Sequence, residues 1–430
     1  MSSKPLTILV LYHLRGSLPL RPSIEANLRC WGRYSIHNVI YWNASFGNTN
    51  LCVNLLDPDI IILHTSFCGL RWQTASLTRL SSDIDTISRH RSLKIALPQD
   101  EFYLTDLLES LLLRLNTSIL LTCANPISWN ILYPRLSKTL KLKTILTGYL
   151  DPKFIRRAKR YYKPVEKRRI PVSYRAWHAE YWLGEHGQKK VQVGQNFIKA
   201  LDSLNIKSDI SMNSDDVLTG DDWIRFLANS RATIGVEGGA SLIDRDGTLR
   251  QASIHFIEQC PNGSFEDFYK SYLNNFHYAL ELKCLSPRHL EAIATKTLQF
   301  LVEGEYNGIL KKGRHYINIL PDFSNINTAL SILDNPVEMN RITETAYQEI
   351  IEHGTVSYPF FVSQIEREFF NLAARRRARP FDWFNRFLVR FADWLQWRVI
   401  QAESVYIKYP AFFKILSPFK TLYQRIRNVW

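Results

Sequence analysis

The stretch SPRHLEAIATKTLQFLVEGEYNGILKKGRHYI, Ser286 to Ile317, contains a helix start, a buried strand and a polar loop in the order used at the ligand-facing edge of an open α/β sheet. Pro287 suits a first helical position, where its missing N–H removes no helical bond, and Glu291 follows about one turn later. The apolar run Leu298 to Val302 reads as a strand, Glu303 to Gly308 leaves its C-terminal end, and Gly313 turns the chain into another short strand. A helix start at such an edge offers unpaired N–H groups and the positive end of its dipole to a phosphate. A carboxylate such as Glu291 can accept both hydroxyls of a ribose. From composition alone, Glu291 serves equally well to satisfy its own helix or to pair with Arg288.

Glu303, Gly304, Glu305, Tyr306 and Asn307 carry the second site signal. Two carboxylates at a strand end can meet sugar hydroxyls while the loop's backbone amides meet phosphate, and two acids also suit a divalent cation.

Pro287, Glu291, Ala292, Ala294, Glu303 to Gly308 and His315-Tyr316 resemble the donor-nucleotide region of the GT-B glycosyltransferases, particularly the bacterial group-1-like and spore-coat CgeB-like proteins. The resemblance covers roughly residues 168–355. It implies that Glu291 binds the ribose of a nucleotide-sugar through a P-x-x-x-E-A pattern, and that the preceding loop contacts sugar and diphosphate. It also implies that no protein-bound metal is needed, since a helix dipole and basic side chains neutralise the leaving diphosphate. Better-known members carry a second glutamate eight residues before the ribose one. Here that position is Lys283, with Glu281 two residues further back.

A chain of 430 residues and 50.2 kDa exceeds one compact core and suits two domains with a remainder. With 46% hydrophobic and 22% charged residues it is a folded globular protein. Its six cysteines are scattered without a C-x-x-C pair, which argues against a zinc site or a disulfide framework. No early run is long enough to span a bilayer, and Met1 to Lys4 leads straight into a strand, so the chain is expected in the cytoplasm. The net charge of +14 concentrates in two places, Lys153 to Arg169 and Arg375 to Trp430.

The first half reads as a doubly wound parallel sheet with strands Thr7–Tyr12, His37–Trp42, Ile60–His64, Leu93–Leu97, Ser118–Thr122 and Thr144–Leu146. Asp100 and Glu101 lie past the fourth of these, where partial desolvation of a carboxylate gives a pKa useful for taking a proton from a sugar hydroxyl. His13 and His64 are the competing base candidates, because imidazole already titrates near neutrality. Pro164 interrupts a helix Pro152 to Tyr162, and the polar KPVEKRR segment around it reads as the interdomain linker.

In the second half, Arg169 to Tyr174 begins a further α/β unit, and Arg175 and Lys190 are the candidates for a fixed positive charge on diphosphate. Thr233 to Val236 is a strand, and Glu237, Gly238, Gly239 and Ser241 fall in its exit loop, where paired glycines permit close backbone approach to a ligand. Arg288 flanks the Glu291 helix start. His255 to Ile257 and Tyr278 to Leu282 read as further strands, and Asp244 to Gly247 as a tight turn.

From Arg375 to Trp430 the texture changes, with fourteen aromatic and twelve basic residues against three acidic ones. Phe384, Phe387, Leu388, Phe391 and Leu395 recur at helical spacing, as on a helix that lies on anionic lipid or one that packs back on the first domain.

Together these readings give a GT-B-like α/β architecture: an acceptor domain over 1–163, a donor domain over 164–355 and a helical basic and aromatic extension over 356–430. The expected activity is transfer of a sugar from a nucleotide-sugar co-substrate to a hydroxyl of a glycan or lipid-linked glycan in bacterial surface polysaccharide assembly. No cofactor, no metal and no nucleic-acid partner are expected, and an anionic membrane surface is expected to meet residues 375–430. The alternatives are a nucleotide-sugar epimerase and a non-catalytic sugar-binding protein on a decayed transferase fold.

Overall fold

Thr7–Tyr12 (β1) is buried at every position because both of its faces are covered. Its residues alternate between two cores, with Leu9 and Leu11 packed on one side of the sheet and Ile8, Val10 and Tyr12 on the other. In this computed structural model, which describes residues 4–14, 20–273, 279–374 and 382–408, β1 lies between Asn38–Asn43 (β2) and Ile60–Leu63 (β3). Leu93–Ala96 (β4), Ile119–Thr122 (β5) and Lys141–Thr144 (β6) complete a six-stranded parallel sheet in the order β2-β1-β3-β4-β5-β6. The last strand lies three residues before its expected start, since polar edge residues such as Lys141 and Lys143 carry no apolar signal.

Ile170–Arg175 (β7), Ser208–Ser211 (β8) and Ser230–Gly235 (β9) open a second parallel sheet. Gly238–Leu242 (β10) and Ala279–Cys284 (β11) pair antiparallel beside it. Leu298–Val302 (β12) and Ile317–Ile319 (β13) finish it in the order β13-β12-β9-β7-β8. Both halves are therefore doubly wound α/β units, each with its functional edge outside the carboxyl ends of its strands.

Two expectations need correction. The apolar triplet His255–Ile257 lies inside the helix Thr248–Gln259. Asp244 starts that helix by accepting from the amides of Gly247, Leu249 and Arg250, a tertiary capping signal stronger than a three-residue strand pattern. The expected exit loop at Gly238 to Ser241 is strand β10. Gly239 takes φ of +114°, and a Cβ there would fall 1.7 Å from the Leu282 carbonyl oxygen, so its glycine serves backbone pairing with β11.

The chain crosses between the units twice. Helix Pro152–Tyr161 packs Ala158 against Ile224, Leu290 and Ile293 of the second unit. Helix Tyr358–Phe369 returns to the first, where Phe361 meets Trp31 edge-on at 5.5 Å. Helix Asp382–Lys408 then runs along β2 and covers that edge of the sheet. Among the described residues, no helix is long and apolar enough to cross a membrane. Residues 375–381 and 409–430 of the basic and aromatic region lie outside the described residues.

Candidate active site

The carboxyl edges of the two sheets meet. Thr147, beyond β6, donates its hydroxyl to the Leu285 carbonyl at 2.9 Å, and a Cβ on Gly148 would lie 2.9 Å from Pro287 Cγ. Further along, the Leu104 amide donates to the Asp244 carbonyl at 2.7 Å and the Asp244 amide to the Phe102 carbonyl at 2.8 Å. These contacts bring the loop after β4 opposite the start of helix Pro287–Ala294, capped by the Ser286 hydroxyl, which accepts from the Arg288 amide.

On that helix Glu291 is half-buried, and its Oε2 accepts from the indole Nε1 of Trp223 at 2.8 Å. Burial pushes its carboxyl up to about 7, opposed by the Trp223 bond and the Arg288 charge. Arg288 stands with its guanidinium 5.7 Å from the Trp223 ring centroid and donates to the Arg175 carbonyl at 2.6 Å. Lys190, on helix Gly184–Ser203, accepts from the Tyr174 hydroxyl through its carbonyl at 3.1 Å, while its ammonium has no hydrogen-bond or ion-pair partner among the described residues. Its ammonium is depressed by burial and by Arg288, and is supported by charge on Asp100 across the cleft. Asp100 reaches solvent while its carboxyl is crowded by protein. That crowding raises its pKa against the opposing charges of Arg71 and Lys190.

Arg71 was not singled out in the sequence, yet it fixes this edge. Fully buried, it donates to the carbonyls of Cys68 (3.0 Å), Gln99 (2.9 Å), Asp100 (2.9 Å) and Tyr103 (3.1 Å). These bonds hold Asp100 at φ of +49°, a conformation that non-glycine residues rarely keep unaided. Trp223 was missed as well. Its sequence signal stops at an amphipathic helix, because its partner lies 68 residues away.

Several expected site residues serve the scaffold instead. Glu101 is fully buried and accepts from the Thr122 and Tyr133 hydroxyls and from the Cys123 amide at 2.8 Å, so it faces the domain core and not the cleft. His64 is buried between Ser66 Oγ (2.9 Å) and Asn27 Oδ1 (2.8 Å), and burial lowers its pKa to about 3. His13 remains at the end of β1, half-buried, with its amide on Ser66 Oγ at 3.2 Å. Arg175 is held by Asp209 at 2.7 Å and by the carbonyls of Tyr174, Asp209 and Asp216, contacts that commit most of its fork to the protein.

Glu237 is buried and latches the loop after β12, accepting from the Tyr306 amide at 2.7 Å. Gly304 permits this approach, since a Cβ there would lie close against the Glu237 carboxylate. Ser241 accepts from the His186 amide at 3.2 Å near the start of helix Gly184–Ser203, whereas Gly238 and Gly239 belong to β10. Tyr306 is fully buried and donates to the Val302 carbonyl at 2.6 Å, and Asn307 Oδ1 accepts from the Leu285 amide at 2.6 Å. Glu303 is exposed and paired to Lys312 at 2.6 Å, and Glu305 is exposed. Tyr306, Asn307 and Gly308 are three successive left-handed residues, with φ of 45°, 53° and 70°. What the structure brings together at the cleft is Lys190, Arg288, Glu291, Trp223 and Asp100. Among the described residues, no group of three His, Cys, Asp or Glu side chains is arranged to hold a metal ion.

Beside this site the helix Pro152–Tyr161 and the turn after it expose Lys153, Arg156, Lys159, Arg160, Lys167 and Arg169. None of these has an ion-pair partner among the described residues. Unpaired cations at this density suit a phosphate backbone as well as any other polyanion.

No family model matches this chain, and no curated protein matches it in sequence. Solved structures do match in fold. An alpha-glucosyltransferase in complex with UDP-glucose and DNA containing an abasic site is 12% identical with a TM-score of 0.50, covering 85% of this chain and 99% of its own. An alpha-glucosyltransferase in complex with UDP and a 13-mer DNA containing an HMU base is 11% identical with a TM-score of 0.51, covering 86% of this chain and 100% of its own. The chain thus has a GT-B-like fold of two Rossmann-like units, and the likeness does not extend to any one subfamily of it. The same structures overturn the expected exclusion of nucleic acid, because proteins of this fold hold DNA.

Proposed function

We propose that this chain transfers a glycosyl group from a nucleotide-sugar, held by the second unit, to an acceptor hydroxyl that enters from the first. The observation that carries this reading is Glu291, a half-buried carboxylate one turn into a helix, with one oxygen fixed by Trp223 and the other left for ribose hydroxyls. Lys190 supplies an uncommitted positive charge, and Arg288 supplies a second at the helix start. In this reading they receive the diphosphate while the dipole of the Pro287–Ala294 helix stabilises its developing charge.

Chemically, the acceptor oxygen forms a bond to the anomeric carbon as the bond from that carbon to the diphosphate oxygen breaks. The electron pair leaves with the diphosphate toward Lys190 and Arg288, and the acceptor proton passes to Asp100, whose raised pKa suits a base. The finer reading is a kinship with CgeB-like and group-1-like transferases, with a glycan acceptor of the bacterial surface met on the cytoplasmic side. UDP-sugars lead the donors to be tried, since structures of the same fold hold UDP or UDP-glucose.

The test is calorimetric binding and product analysis with UDP-, GDP-, ADP-, CMP- and dTDP-sugars, each offered oligosaccharide and DNA acceptors. Affinity for one donor with transfer to one acceptor is expected. No affinity for any nucleotide sinks the proposal, and binding without turnover reduces the protein to a sugar-nucleotide binder, a reading that Lys283 at the second glutamate position favours.

A further inference from the structure

We propose that the outward face of helix Asp382–Lys408 docks on an anionic bilayer surface and sets the cleft beside it. This inference does not rest on the transferase reading, since it holds whatever reaction the cleft performs.

The two faces of the helix differ in kind. Inward, Val389, Gln396 and Ile400 are buried, Asn385 donates to the Leu55 carbonyl at 3.1 Å, and Trp397 stacks on Tyr12 at 6.4 Å between ring centroids. The acidic Asp393 is also turned inward, accepting from the Tyr12 hydroxyl at 2.8 Å with Arg29 at 3.6 Å. Outward, Trp383, Phe387, Phe391 and Trp394 are 67%, 57%, 48% and 49% exposed. Phe387, Phe391 and Trp394 stack in succession at 6.3 and 5.8 Å, a continuous aromatic strip.

Charge identifies the occupant. Arg390 and Arg398 are exposed on this helix beside the strip, Asp393 faces the sheet, and the other two acids, Asp382 and Glu403, lie partly buried toward the helix ends. The sequence adds Arg375, Arg376, Arg377 and Arg379 just upstream. An aromatic strip flanked by arginines, with the acid nearest it turned inward, matches the headgroup boundary of anionic lipid, where rings sit at the interface and cations meet phosphate. A protein partner of ordinary mixed charge offers no counterpart to that arginine excess.

The helix rises from Leu55 to the carboxyl end of β2, where the Asn43 amide donates to Gln396 Oε1 at 3.2 Å. A membrane held by the helix therefore lies beside the edge that carries the cleft, so that a membrane-borne substrate would meet it there.

The experiment is flotation of the full chain with phosphatidylglycerol-containing vesicles and with phosphatidylcholine vesicles, alongside sizing in the absence of lipid. The variants are a triple Phe387→Ser, Phe391→Ser, Trp394→Ser and, in case that one fails to fold, Arg390→Glu with Arg398→Glu. Preference for the anionic vesicles by about tenfold, lost in either folded variant and weakened by added salt, is the expected result. Equal binding to both vesicles, or binding that both variants retain, overturns the proposal. So does a chain that ignores vesicles, whether it stays monomeric or self-associates through the strip.

Discussion

Trp223 Nε1 donates to Glu291 Oε2 at 2.8 Å and ties the helix Gly220–Asn229 to the helix Pro287–Ala294. The bond occupies one carboxylate oxygen, fixes the rotamer of the other and opposes the rise in pKa that burial imposes on Glu291.

Glu291→Gln is expected to trade function for stability in a pH-dependent way. The folded carboxyl titrates near 7 against an ordinary 4.5, so the proton is held more tightly in the folded state. Stability is then complete below about 4.5 and is lost as pH rises through about 7. Glutamine is neutral throughout and still accepts from Trp223. The variant should melt at the same temperature as wild type near pH 4, and higher than wild type at about pH 8. Calorimetric scans at both values check this, and a lower melting temperature at the higher pH contradicts it. Nucleotide affinity should fall by about 1.5–3 kcal/mol, the worth of a hydrogen bond to a charged group.

Trp223→Phe removes the N–H and keeps the ring. Without that bond the Glu291 carboxyl should climb further, so nucleotide binding, which needs the carboxylate, begins at higher pH than in wild type. Affinity at neutral pH is expected to drop about tenfold. Titration calorimetry across pH reads both effects, and an unmoved pH profile removes Trp223 from the site.

Asp100→Asn and Glu101→Gln should separate chemistry from scaffold. With Asp100 as the base, its variant should lose turnover by about 10²–10⁴-fold while donor affinity holds. Glu101 accepts three bonds inside the first unit, so its variant should lower the melting temperature and leave the turnover of the folded fraction near wild type. Steady-state kinetics beside thermal scans decide, and the reverse pattern would exchange the two roles.

Gly304→Ala places a methyl group against the Glu237 carboxylate and should break its bond to the Tyr306 amide. A loss of about 1–3 kcal/mol in unfolding free energy is expected, because a buried acceptor and a buried amide lose each other. Denaturant titration measures it, and an unchanged midpoint would show that the latch carries no stability.

The architecture was legible in the pattern of residues along the chain. Runs such as Thr7–Tyr12 and Leu298–Val302 lie where their apolar pattern put them, because a strand covered on both faces must be apolar throughout. Pro287 and Glu291 were likewise legible, since helix starts obey local chemistry. Tertiary structure decided which polar residues face the cleft. Asp100 and Glu101 are adjacent and chemically alike, yet strand and turn geometry sends one to the opening and the other into contact with Tyr133. Arg71 reaches Gln99, Trp223 reaches Glu291 and Glu237 reaches Tyr306 across 28, 68 and 69 residues, and no local pattern encodes such a distance. The exposed face of helix Asp382–Lys408 was also a tertiary outcome. Its spacing showed an aromatic stripe, but only packing against Tyr12 and Asn43 determined which rings were left outside.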